Sequence, residues 1–197
     1  YLCMTKTLSS LFIAMLGLPM FAVGADAFWP PPADRQLITL SWCVDRYPNE
    51  PSQNEVNNQI RAALSEWEKY IEVRFEPAAC NGNRTLTFSW EYGDHGDGYP
   101  FLPAIRAHAF FPPPAVPEPR AGDIHLNADY DWAVPLAIFA TVLHEVGHAL
   151  GLRDSTIGVM NWLYFAPLWL QISDIVAVRK LYPFRCFEIE CAMRNTH

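Results

Sequence analysis

Basic side chains are scarce in this sequence. Lysine and arginine together number 14 against 21 aspartates and glutamates, charged residues are only 18% of the 197, and the formal net charge is −7. Such a chain lacks the basic surface that nucleic acids and anionic membranes bind, so neither is an expected partner. The hydrophobic fraction of 51% and aromatic fraction of 14% exclude a disordered chain. The length suits one domain with a sizeable core, and no internal repeat or composition break marks a second. The five cysteines include no C-x-x-C pair, the spacing that zinc-binding cysteines normally show.

Near the N-terminus, Lys6 precedes an apolar run from Leu8 to Val23. The run is short for a membrane span and is broken by Gly17 and Pro19. It ends in the small residues Ala25-Asp26-Ala27, which suit signal peptidase, so residues 1–27 are expected to be an export signal and 28–197 the folded domain. A cut after Ala25 and a membrane anchor are the other readings. Export would make the protein secreted and extracellular. Without Cys3 four cysteines remain, an even number that suggests two disulfides. Three pairings are possible, and Cys43 with Cys80 and Cys186 with Cys191 is the simplest.

Along the chain, Gln36 to Val44 alternates apolar and polar residues like a strand with one buried face. Ser52, with Glu55 three residues on, predicts a capping box opening a helix whose core stripe is Val56, Ile60, Ala63, Leu64 and Trp67. Strands are expected at Val73 to Glu76, Thr85 to Trp90 and Gly122 to Asn127, with a short extended piece at Arg106 to Phe110. Phe111 to Pro119 holds too many prolines for helix or central strand and reads as a surface loop. Val134 to Leu152 reads as a second helix, punctuated by Pro135 and Gly151, and a last helix is expected from Ser173 as N-cap to Leu181.

The second helix carries the chemistry. His144 and His148 are four residues apart and project from one helical face, so both imidazoles can reach one metal ion. Glu145 lies beside them, placed for a base acting on water rather than for a ligand. Gly151 can take the positive φ that turns the chain back, which delivers Asp154 as a candidate third ligand. Two imidazoles and one carboxylate leave the unit one positive charge, where three imidazoles would leave two, so water there is less acidified. The alternatives are that Asp154 only caps a turn, or that a distant glutamate completes a thermolysin-like site.

H-E-x-x-H-x-x-G-x-x followed by a third ligand and a later methionine, here Met160, is the metzincin pattern. The version ending in Asp154 is similar to that of snapalysins. The remainder resembles the matrixins, through His95-Gly96-Asp97, Ala107-His108-Ala109-Phe110 and Gly122-Asp123-Ile124-His125. The resemblance implies an α+β zincin fold: a twisted, mixed but mostly parallel five-stranded sheet with three helices, a metzincin active-site helix and a Met-turn. It implies a secreted zinc endopeptidase with His144, His148 and Asp154 on the catalytic zinc and Glu145 as general base. A second, structural zinc would be held by His95, Asp97, His108 and His125. Ala107, Ala109 and Phe110 would pair with an extended peptide, Ala140 and Tyr164 would line its specificity pocket, and Met160 would lie under the metal without ligating it.

Three departures qualify that resemblance. The matrixin calcium loop is replaced by Tyr99 to Arg106, and the acidic positions read Asn127, Tyr130 and Thr85, leaving Asp123. Calcium binding is therefore expected to be weak or absent. No P-R-C-G-x-P-D segment is present, so latency by a cysteine switch is not expected, and Asp34 is a candidate inhibitory carboxylate. A monomer acting on an extended peptide or protein is expected. The competing reading is an inactive zinc-dependent peptide-binding module of the same fold, against which Glu145 argues.

Overall fold

The computed structural model describes residues 27–33, 37–161 and 167–183. Residues 1–26 of the leader, Asp34, Tyr164, Cys186 and Cys191 lie outside the described residues. Five strands, β1 (Ile38–Arg46), β2 (Val73–Pro77), β3 (Thr85–Glu91), β4 (Ala107–Ala109) and β5 (Ile124–Asn127), form one sheet in the order β2-β1-β3-β5-β4. All pairs are parallel except β4 with β5. This is the mixed, mostly parallel sheet expected. β4 stands at an edge, so one side of its backbone is open to another strand.

Helix α1 (Gln53–Glu68) buries Val56, Ile60, Ala63, Leu64 and Trp67, the stripe expected from its spacing. Ser52 Oγ accepts from Glu55 N–H at 3.4 Å, but the Glu55 carboxylate turns to Gln59 Nε2 at 2.9 Å rather than completing a capping box. Helix α2 (Ala137–Ala149) starts two residues beyond Pro135, because Leu136 takes a left-handed φ of 62° and breaks the path first. Its N-terminus is capped from another element: Gln59 Oε1 accepts from Phe139 N–H at 3.0 Å. Trp67 Nε1 then donates to Leu143 O at 3.1 Å, which fixes α1 against the middle of α2.

Helix α3 (Ile172–Leu181) is capped by Gln171 and not by Ser173. Asp174 decides the difference, since its carboxylate accepts from Gln171 N–H at 2.8 Å. The Cys43–Cys80 disulfide is formed and ties β1 to the chain leaving β2. Among the described residues no helix is long and apolar enough to cross a membrane.

Candidate metal centres

Two clusters of metal-binding side chains stand on this frame. In the first, His144 and His148 Nε2 are 3.1 Å apart on one face of α2. Each Nδ1 is turned to a backbone carbonyl, His144 to Val159 O and His148 to Leu152 O, both at 2.8 Å. Those bonds fix the tautomer and leave both Nε2 lone pairs for an ion. Asp154 Oδ1 lies 3.5 Å from His144 Nε2 and 3.4 Å from His148 Nε2. Ligands about 2.0–2.2 Å from a tetrahedral zinc are about 3.3–3.5 Å from one another, so the two edges to Asp154 match that spacing and the 3.1 Å edge between the imidazoles is somewhat shorter. The Asp154 side chain is 57% exposed, so the triangle borders solvent on that side.

Glu145 also offers an oxygen within 4.8 Å of both imidazole nitrogens. It is 3% exposed and its Oε2 has no hydrogen-bond partner. Burial raises its pKa, against the opposing pull of His144 and His148. A buried carboxyl with one oxygen unpartnered costs folding stability, and such groups concentrate at functional sites. Burial lowers the His148 pKa, but the hydrogen bond to Asp154 and the charges of Glu145 and Asp154 outweigh it and raise the imidazole overall. The same His148 hydrogen bond lowers Asp154.

The second cluster gathers the turn after β3 with β4 and β5. Asp97 Oδ2 is 2.9 Å from His95 Nε2, 2.8 Å from His108 Nε2 and 2.9 Å from His125 Nδ1. His125 Nδ1 is 3.1 Å from His95 Nε2 and 3.2 Å from His108 Nε2. The antiparallel register sets His108 directly opposite His125 and makes this possible. Phe101 stacks on His95 at 4.9 Å and closes one side. Four converging donors with no gap between them make a closed set, as structural zinc requires.

Burial lowers His108 to about 4. Burial raises Asp97, but the Tyr99 N–H and its two histidine partners bring it down to about 2. At neutral pH His108 is therefore a neutral imidazole beside an ionised Asp97, the states that metal binding requires. In metal-free protein the same shift has a stability consequence. Native His108 refuses, between pH 6.5 and 4, a proton that the unfolded chain accepts, so stability falls as pH falls through that window. The chelator-treated protein should lose up to about 3 kcal/mol from pH 7 to 4, seen as a lower urea midpoint.

Met160 is 2% exposed and packs against Gly147 of α2. A methyl group at Gly147 would overlap the Met160 sulfur and come within 3.2 Å of Trp67, so only glycine fits the helix there. Gly147→Ala should destabilise by about 1–3 kcal/mol, measurable by thermal melting. Sequence reasoning missed Asp174, which is 2% exposed. Its carboxylate accepts from Val159 N–H at 3.0 Å and Met160 N–H at 3.4 Å as well as from Gln171. It thereby holds the turn whose Val159 carbonyl orients His144. Asp174→Ala orphans three backbone donors and should cost about 3–5 kcal/mol in a urea titration. No local pattern distinguishes this aspartate from an ordinary helix cap.

Ala107 and Ala109 lie on edge strand β4, and Phe110 follows, buried. Ala140 is half-buried and lines a cavity of about 330 Å³ with Trp132, Leu136 and Leu168. Phe111, treated above as part of a surface loop, brings its ring 5.7 Å from His148. The positions compared with matrixin calcium ligands are engaged by the protein itself. Asn127 Nδ2 donates to Ile105 O at 2.9 Å, Tyr130 Oη to Pro103 O at 3.1 Å, and Thr85 Oγ1 to Asn83 O at 3.3 Å.

The matrixin family profile, Peptidase_M10, matches residues 33–183. The chain is similar to karilysin of Tannerella forsythia, 30% identical over 154 residues that cover 74% of this chain and 32% of that protein. It is 34% identical to matrix metalloproteinase-20 of Homo sapiens over 123 residues, 60% of this chain and 24% of that one. Interstitial collagenase of Sus scrofa is 29% identical over 152 residues, 73% of this chain and 31% of that protein. The chain spans about a third or less of the length of these relatives.

Proposed function

We propose, from the premise that this chain belongs to the matrixin family, that it is a zinc-dependent endopeptidase acting at His144, Glu145, His148 and Asp154. The observation that carries the proposal is the His144–His148–Asp154 triangle of 3.1, 3.4 and 3.5 Å with an unpaired, buried Glu145 beside it. Zinc held by that triangle would supply the Lewis acid that polarises a scissile carbonyl and activates water. Glu145 takes a proton from the attacking water and returns it to the leaving amine, for which its burial-raised pKa suits it. The open edge of β4 at Ala107 and Ala109, with Phe110 following, pairs with an extended peptide by strand addition. Ala140 lines the pocket for an apolar residue after the cut bond.

His95, Asp97, His108 and His125 hold a second, structural zinc. The Asn127 and Tyr130 hydrogen bonds replace calcium in supporting the 99–106 loop. Residues 1–27 direct export, with cleavage before Phe28, and residues 28–197 act outside the cell as a monomer.

The test is digestion of an unfolded protein by the zinc-loaded chain. Cutting that stops with chelator and returns with zinc supports the peptidase. A folded, zinc-loaded chain that binds peptides and cuts none would be an inactive binding module instead.

A further inference from the structure

We infer that Phe28–Trp29 is a strap that positions His148 and Asp154 from behind α2, with Trp29 as the positioning residue; this rests on the reading of those two side chains as metal ligands. Trp29 is fully buried. Its indole Nε1 donates to Ala149 O at 2.8 Å, and its backbone N–H donates to the Tyr182 phenol at 3.1 Å. The Tyr182 hydroxyl passes the contact on by donating to Leu150 O at 2.9 Å. Ala149 and Leu150 are the last residues before α2 ends, and their carbonyls have no N–H of their own helix to meet. An indole and a phenol satisfy them from outside.

The turn that follows continues from those anchored carbonyls. Gly151 takes a φ of 101°, a left-handed conformation that side chains rarely adopt. Leu152 N–H returns to Gly147 O at 2.8 Å, and Leu152 O receives His148 Nδ1. Asp154 comes two residues later. The strap therefore holds the segment that both orients His148 and delivers Asp154, whereas His144 is oriented separately through Val159 and Asp174. The slot for Trp29 is specific. Gly122 leaves it room, since a Cβ there would come within 3.0 Å of the ring, and the Arg84 guanidinium lies 5.8 Å over its other side. Burial raises the Tyr182 phenol far above its ordinary pKa, so it stays protonated and keeps donating.

The experiment measures zinc retained per chain against increasing chelator, with urea midpoints alongside, for the parent, Trp29→Phe and Tyr182→Phe. Asp154→Ala identifies which release step belongs to the first cluster. Trp29→Phe keeps an aromatic ring in the slot but deletes the Nε1 donor together with part of the indole volume, and the urea midpoint reads the packing loss separately. Loss of an outer hydrogen bond to a metal site typically costs about 10–100-fold in affinity. The first-cluster step should therefore move at least about tenfold in both variants, while the His95–Asp97–His108–His125 step stays in place. Both steps moving together with the urea midpoint would make Trp29 merely structural and overturn the proposal. So would no movement of either step. A parent that holds no ion at the first cluster would overturn the reading of the site itself, and the strap with it.

Discussion

An Asp154→Ala variant should hold one zinc ion per chain where the parent holds two, and should cut peptides at least a hundredfold more slowly at matched zinc. Asp154 Oδ1 lies 3.4–3.5 Å from the two imidazole nitrogens and is the third vertex of the proposed ligand triangle. Without it two imidazoles remain, fewer than the three protein ligands of known catalytic zinc sites. The expected loss exceeds the 10–100-fold typical of outer-sphere partners because the ligand itself is removed. The side chain is largely exposed, so the variant should fold normally. Zinc content by mass spectrometry and a urea titration on the same samples make the check. Two ions and full activity in Asp154→Ala would mean that the aspartate only caps a turn.

Glu145→Gln should lower turnover by about 10²–10⁴ while keeping both ions. Its effect on stability should run the other way. Glu145 is a carboxylate buried at 3% exposure with one oxygen unpartnered, so a neutral amide of the same shape relieves a cost. The variant should melt at or above the parent temperature, the trade expected where folding stability is given up for a reactive group. Loss of activity with a lowered melting temperature would instead point to a structural glutamate.

The parts legible in the sequence are those set by short spacings. The α1 stripe, the His144–His148 pair and Gly151 as the turn are matters of helical period and backbone freedom, which a few neighbouring residues decide. The second cluster was legible only through three separate motifs and the family they resemble. What brings them together, the β4–β5 register with His108 opposite His125, is a long-range pairing that no window of sequence contains. The same holds for supports that reach across the chain. Gln59 caps α2 from 80 residues away, Trp29 reaches Ala149 across 120, and Asp174 holds the turn at Val159 from the next helix. Two boundaries moved for local reasons. Pro135 gave way to Leu136 at the start of α2, and Ser173 gave way to Gln171 because Asp174 bonds back to it.

The most direct measurement of the central claim is diffraction from the zinc-loaded protein on either side of the zinc absorption edge. The account predicts two anomalous peaks. One should be bonded to His144 Nε2, His148 Nε2 and Asp154 with a fourth position open beside Glu145, and the other enclosed by His95, Asp97, His108 and His125. An ion at His144 and His148 completed by any group other than Asp154, or no ion there at all, would contradict it.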